Sequence, residues 1–177
     1  MNKMIVLVGM MGSGKTALGR QLAQRLNLPF CDSDSEIEKA TGMRIAHIFE
    51  EQGEAAFRDI ERIKIAKLLG GPPCVLSTGG GAILNPDTRQ LIAQKSIVIW
   101  LKARLETLLS RVAKDKSRPL LKTADPAARM QQLLENRTPF YAEAPIHIDT
   151  DTKSFEETVE AMVNAVQNHL AQHHIAQ

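Results

Sequence analysis

Along the 177-residue chain, short apolar runs alternate with longer stretches in which apolar positions recur every three or four residues. The runs are Met4–Val8, Pro29–Cys31, Cys74–Ser77, Ile97–Leu101 and Ile146–Ile148. Each is nearly continuous in hydrophobicity, the pattern of strands covered on both faces. Between them, Leu18, Leu22 and Leu26 fall on one helical face, and Leu105, Leu108, Leu109 and Val112 recur at i, i+3, i+4, i+7. A longer stripe runs through Phe155, Val159, Met162, Val163, Val166 and Leu170. This alternation predicts an α/β domain, a parallel sheet with right-handed crossovers and helices on both sides. Ligands of such sheets bind beyond the carboxyl ends of the strands, so chemistry is expected just after each run.

The first run leads into Gly9-Met10-Met11-Gly12-Ser13-Gly14-Lys15-Thr16, and a helical pattern follows. Strand, glycine loop and helix are the context that the phosphate-binding pattern G-x-x-x-x-G-K-[ST] requires. Glycines let backbone N–H groups turn around an anion, and the helix N-terminus adds partial positive charge. Gly12, Ser13, Gly14, Lys15, Thr16 and Ala17 are the candidate nucleotide-binding residues. In that pattern Lys15 reaches the β/γ-phosphates and Thr16 ligates Mg²⁺.

After the second run comes Asp32-Ser33-Asp34. In an extended chain the two carboxylates share a face. One suits a hard Mg²⁺ ion and the other the proton of an attacking hydroxyl. Helix N-capping is an equal alternative, because Ser33, Asp34 and Ser35 precede the helical Glu36-Ile37-Glu38. The third run ends in Gly79-Gly80-Gly81, either a turn or a place where backbone N–H groups meet a ligand. Arg58, with Glu61 one turn on, and Arg137 lie in helical segments. Converging, they would bind a carboxylate; alone, each is an ordinary surface charge.

Composition narrows the class. With 44% hydrophobic and 24% charged residues, the chain reads as one ordinary globular domain. A net charge of +2 and 4% aromatics do not suggest a nucleic-acid binder. No apolar stretch approaches membrane-spanning length. The start enters a strand almost at once rather than resembling a signal peptide, so the cytoplasm is expected. Cys31 and Cys74 fit two buried, reduced thiols. His169, His173 and His174 read as a polar helix end rather than a metal site. The segment 113–123, lysine-rich and broken by Pro119, is either a closing lid or a solvated loop. GTPase D-x-x-G and N-K-x-D elements are absent, which leaves a small kinase acting on a metabolite.

Taken together, these elements resemble the shikimate kinase family over nearly the whole chain. The order is Gly9 to Thr16, Asp32-Ser33-Asp34 with Ile37-Glu38, Thr41-Gly42, Ile48-Phe49, Gly53-Glu54 and Phe57-Arg58 with Glu61. Gly79-Gly80-Gly81, Arg118-Pro119-Leu120-Leu121 and Arg137-Thr138-Pro139-Phe140-Tyr141 complete it. The resemblance implies ATP-dependent phosphorylation of the shikimate 3-hydroxyl, a step toward chorismate and the aromatic amino acids. It implies a three-layer α/β/α fold with a five-stranded parallel sheet in order 2-3-1-4-5. Within that single domain, a substrate-binding segment spans about 33–61 and a lid about 112–124. Lys15, Asp34 and Arg118 would be catalytic, with Asp34 the candidate base. Arg58 and Arg137 would clamp the carboxylate beside Gly79, Gly80 and Gly81. Thr16 and Asp32 would support Mg²⁺, Arg111 would flank the adenine, and a monomer is expected. Many members carry a second lid arginine near Ser117, where this chain has only Arg118. A gluconate kinase and a non-catalytic nucleotide-binding protein are the competing readings. The arginine pair with the triple glycine favours a cyclic acid over gluconate. Joint presence of Lys15, Thr16, Asp32, Asp34 and Arg118 argues against lost catalysis.

Overall fold

The computed structural model describes residues 3–113 and 122–174. In chain order it contains β1 (Met4–Val8), α1 (Lys15–Leu26), β2 (Phe30–Asp32), α2 (Ser33–Thr41) and α3 (Ile45–Leu69). There follow β3 (Val75–Ser77), α4 (Pro86–Lys95), β4 (Ser96–Lys102), α5 (Leu105–Val112), α6 (Pro126–Tyr141), β5 (Ile146–Asp149) and α7 (Phe155–His174). The sheet order is β2-β3-β1-β4-β5, with every neighbouring pair parallel. Ile5 at the centre pairs with Val75 on one side and Ile97 on the other.

The order explains which strands are fully apolar. Every residue of β1 and β3 is buried, as is β4 from Ile97 to Leu101. The edge strands depart from the expectation of two covered faces. On β5, Ile146 and Ile148 point inward while His147 and Asp149 are exposed, and β2 is only half-buried. A strand with one neighbour has a flank that nothing covers.

Two apolar layers sandwich the sheet. On one face Val6, Val8, Leu76 and Trp100 pack against Ile92, Leu108, Met130, Leu133 and Tyr141. On the other, Ile5, Leu7, Ile97 and Ile99 meet Leu18 and Leu22 of α1 and Val159, Met162 and Val166 of α7. Each fully buried side chain of this size contributes roughly 1.5–3 kcal/mol. Phe155 departs from the predicted α7 stripe, being 46% exposed at the start of the helix. Cys74 is buried and Cys31 half-buried, and both are free thiols.

A third, smaller core lies apart from these layers. Ile37, Ile48 and Phe57 pack together with Met43, Ile45, Phe49 and Ile60 around them, joining α2 to α3. Gly53 breaks α3 in mid-course at φ 84°, ψ 172°, a conformation open in practice only to glycine. Residues on both sides of the break, Ile48 before it and Phe57 after it, pack on Ile37 of α2, and Ile65 and Leu69 farther along join the core against the sheet.

Candidate active site

At the carboxyl edge of the sheet a cleft of about 740 Å³ opens between the loop after β1, the start of α2, α3, the loop after β3, α5 and α6. Its phosphate-loop side is built from backbone. Gly14 takes a left-handed conformation (φ 92°), so α1 begins at Lys15 with no side-chain cap. An uncapped helix start leaves orphan N–H groups and partial positive charge, the physical requirement for an anion. Gly12, Gly14, Lys15, Thr16 and Ala17 line the cleft. Lys15 Nζ donates to the carbonyls of Gly9 (2.7 Å) and Met10 (2.9 Å). Ser13 does not line the cleft. Its side chain is wholly buried and its N–H donates to Met10 O at 3.1 Å, so it shapes the loop from behind. Arg111 of α5 donates to Gly12 O (3.2 Å) and to the hydroxyl (3.2 Å) and carbonyl (3.1 Å) of Thr150, tying the loop to the end of β5.

The cap of α2 is Asp32 rather than Ser33, Asp34 or Ser35, and the same carboxylate also faces the phosphate loop. Oδ1 accepts the Ser35 N–H at 3.1 Å and caps α2, while Oδ2 accepts the Thr16 hydroxyl at 3.2 Å. Strand alternation is not what brings Asp34 to the same cleft. The strand ends at Asp32, and Asp34 enters from the first turn of α2. Among the described residues no group of three His, Cys, Asp or Glu could hold a metal by itself. Two oxygen donors beside a phosphate site nevertheless fit Mg²⁺, which keeps several waters and draws its remaining ligands from phosphate oxygens.

The opposite wall is built from side chains. Arg58 Nη1 lies 2.7 Å from Glu61 Oε2, and Nη2 lies 3.3 Å from Glu54 Oε1. Burial works to lower the Arg58 pKa, yet Glu61 and Glu54 hold it above its usual range. Burial likewise pushes the Glu61 carboxyl up, against the pull of Arg58 and Arg137. Arg137 on α6 is 2% exposed, and its Nε and Nη1 are buried with no hydrogen-bond partner among the described residues. A buried cation with open donors is costly unless an anion completes it.

The chain turns here, with Ala82 N–H donating to Gly79 O at 3.1 Å, but none of Gly79, Gly80 and Gly81 has a left-handed φ, so it is closeness and not the turn that calls for glycine. A Cβ at Gly79 would lie 2.6 Å from Glu61 Oε1 and 3.2 Å from Asp34 Oδ1. At Gly80 it would lie 2.9 Å from Arg137 Nη1, and at Gly81 it would overlap the Arg58 guanidinium. The bare backbone thus lies directly against the ionic side chains predicted to act together. Gly79 N–H donates to Ser33 Oγ at 3.2 Å, whereas the N–H groups of Gly80 and Gly81 enter no backbone hydrogen bond among the described residues. Phe49 and Phe57, with ring centroids 4.7 Å apart, supply an apolar flank.

The described site residues thus converge on one cleft, Ser13 standing behind it, while Arg118 and most of the expected lid lie outside the described residues. Residue-by-residue reading missed Ser33, Thr150 and Tyr141. Tyr141 carried a signal, since it follows Arg137 by four positions and so shares its helical face.

Comparison with known proteins agrees with this geometry. The shikimate kinase family model matches residues 11–167. A shikimate kinase from Ruegeria pomeroyi is 52% identical over 166 residues, 94% of this chain and 84% of that protein. One from Zymomonas mobilis is 48% identical over 162 residues, 92% of each chain. Among solved structures, a shikimate kinase from Acinetobacter baumannii in complex with shikimate superposes with a TM-score of 0.91 at 38% identity, covering 95% of this chain and 94% of that one. A gluconokinase from Sinorhizobium meliloti, at a TM-score of 0.71 and 16% identity over 99% and 98% of the two chains, shares the fold alone. With the phosphate loop from Met11 onward and the arginine wall both inside the span that the family model matches, the chain belongs to the shikimate kinase family.

Proposed function

We propose that this protein transfers the γ-phosphoryl group of ATP to the 3-hydroxyl of shikimate, a step toward chorismate. The observation that carries the reading is the buried Arg137, with two open donors, set across Gly80 and Gly81 from Arg58 in the cleft that also holds the phosphate loop. That wall calls for a carboxylate, and the apolar flank of Phe49 and Phe57 suits a ring.

Catalysis of phosphoryl transfer is mainly positioning and charge stabilisation. The carboxylate docks on Arg58 and Arg137, with the N–H groups of Gly80 and Gly81 beside it. Asp34 receives the hydrogen bond of the reacting hydroxyl and is the candidate base. Lys15 exchanges its loop carbonyls for phosphate oxygens, and Arg111 flanks the adenine. Thr16 and Asp32 would hold Mg²⁺, whose charge neutralises the β- and γ-phosphate oxygens when bound. Arg118, outside the described residues, is proposed as the second cation on the transferring group, within a lid of about 112–124 that excludes water. The substrate-binding segment of about 33–61 corresponds to the unit with its own small core. A monomer acting in the cytoplasm is proposed.

The test is ADP release from the purified protein with MgATP and shikimate, quinate or gluconate. Stimulation by shikimate alone, with a 3-phosphate product by NMR, is expected. No stimulation from a folded, ATP-binding protein would overturn the acid clamp and leave only the phosphate loop standing.

A further inference from the structure

Tyr141 closes α6 one turn after Arg137, and its side chain is 1% exposed. Its hydroxyl donates to Gly80 O at 2.5 Å and stands 3.8 Å from the sulfur of Met10 in the phosphate loop. The phenol therefore touches the triple glycine and the nucleotide loop at once. We infer that the Tyr141 hydroxyl is a positioning group for the substrate carboxylate, aiming the Gly81 N–H into the cleft by holding the Gly80 carbonyl.

The argument follows from the planarity of the peptide. Gly80 C=O and Gly81 N–H belong to one trans unit and point in opposite directions. Anchoring the carbonyl to the phenol turns the N–H to the opposite side, where it meets no backbone acceptor among the described residues, and Gly81 itself lies against Arg58. That peptide is the middle of the turn closed by Ala82 N–H on Gly79 O (3.1 Å), and with no side chains on Gly80 and Gly81 the phenol is what anchors its carbonyl from outside the turn. Arg137 stands on the same helical face, and a Cβ at Gly80 would lie 2.9 Å from its Nη1 and 3.4 Å from the phenol oxygen. One helical turn thus sets the guanidinium and the peptide N–H together. Burial pushes the phenol pKa up to about 12, against the nearby Arg137 and Arg58, so the hydroxyl keeps its proton at any working pH.

The inference rests on the carboxylate reading of the clamp, and its test separates the two. Tyr141→Phe keeps the ring and removes only the hydroxyl. The KM for shikimate is expected to rise about three- to tenfold, the worth of one hydrogen bond, with kcat and the KM for ATP unchanged. In ¹⁵N-labelled protein the Gly81 amide resonance should move on adding shikimate, and should move less in Tyr141→Phe. An unchanged shikimate KM, or a lowered melting temperature with both KM values intact, would make the hydroxyl merely structural and overturn the inference. A Gly81 amide that ignores saturating shikimate in the wild-type protein would overturn it even if the variant failed to fold. A wild-type protein that shikimate does not stimulate would instead remove the clamp reading beneath it.

Discussion

On the proposed reading, the two walls of the cleft recognise anions by different means. The phosphate side uses backbone amides, a helix start without a side-chain cap, and Lys15 resting on its own loop carbonyls. The carboxylate side uses buried side chains, with Arg58, Glu61 and Arg137 gathered around three glycines. The first requires one continuous stretch of chain, Gly9 to Thr16. The second is assembled from α2, α3, α6 and the loop after β3. The lesson is that an anion site made from backbone can be complete before ligand arrives, whereas one made from ionic side chains carries charge that its ligand must balance. Substitutions on the two sides should leave different kinetic signatures.

The largest effect is expected from Lys15→Met. Removing a charge aimed at the transferring group should lower kcat by roughly 10²–10³-fold, with the KM for shikimate nearly unchanged, in the ADP-release assay. Retention of full turnover would mean that the phosphate side stabilises the reaction through backbone alone. Arg137→Ala ranks next and should act on the other substrate. Loss of a buried charged donor is worth about 2–3 kcal/mol, so kcat/KM for shikimate should fall roughly 30- to 150-fold while the KM for ATP holds. An equal loss for both substrates would dissolve the distinction between the walls.

The same substitution can be made on each side. Gly12→Ala places a Cβ at φ 83° and 2.8 Å from Val112 Cγ1, so it strains the backbone and pushes on α5. Lowered thermal stability and weakened ATP binding are expected together. Gly81→Ala meets no left-handed φ, only the Arg58 guanidinium. Its effect should be confined to shikimate, a KM rise of about tenfold, near the worth of one charge-assisted hydrogen bond. If Gly81→Ala loses stability as Gly12→Ala does, the triple glycine serves the fold and is not part of a clamp.

That contrast also explains what was legible in the sequence. The strand-helix alternation and the phosphate loop are local patterns, and the structure reproduces the predicted runs with shifted ends. Edge strands were less legible, because the exposure of His147 and Asp149 depends on strand order, a tertiary fact. Spacing placed the cap of α2 among Ser33, Asp34 and Ser35, whereas Asp32 provides it, because its carboxylate has two oxygens and uses one for the Ser35 N–H and one for Thr16. The clamp was legible only through family resemblance. No period connects Arg58 to Arg137, and the triple glycine reads as a turn until the side chains against it are seen. Gly53 was visible as a motif letter but not as the break in α3. Tyr141 was quoted for the resemblance and given no role, because its partner is a backbone carbonyl some sixty positions away.

The smallest effect comes from the charge at the centre of the clamp. Burial raises the Glu61 carboxyl pKa above its ordinary range, in spite of Arg58 and Arg137 beside it. An acid with a raised folded-state pKa contributes stability that is fully present below its unfolded value of ~4.3 and is lost as pH rises through the folded value. Glu61 should therefore oppose the usual trend, in which paired carboxylates stabilise a protein on leaving acid. Glu61→Gln removes this titration and keeps a hydrogen-bonding group toward Arg58. In urea unfolding, the wild-type midpoint relative to that of the variant should decline from about pH 4 toward neutrality. Over the same interval the shikimate KM of the wild type should improve relative to the variant, as the ionised carboxylate fixes Arg58. Parallel stability profiles would mean that Glu61 stays ionised throughout, held by its two arginines, so that the clamp stores no charge imbalance in the free protein. Diverging profiles would show the carboxylate wall giving up stability at neutral pH for a binding geometry that the backbone wall reaches without ionising a buried group.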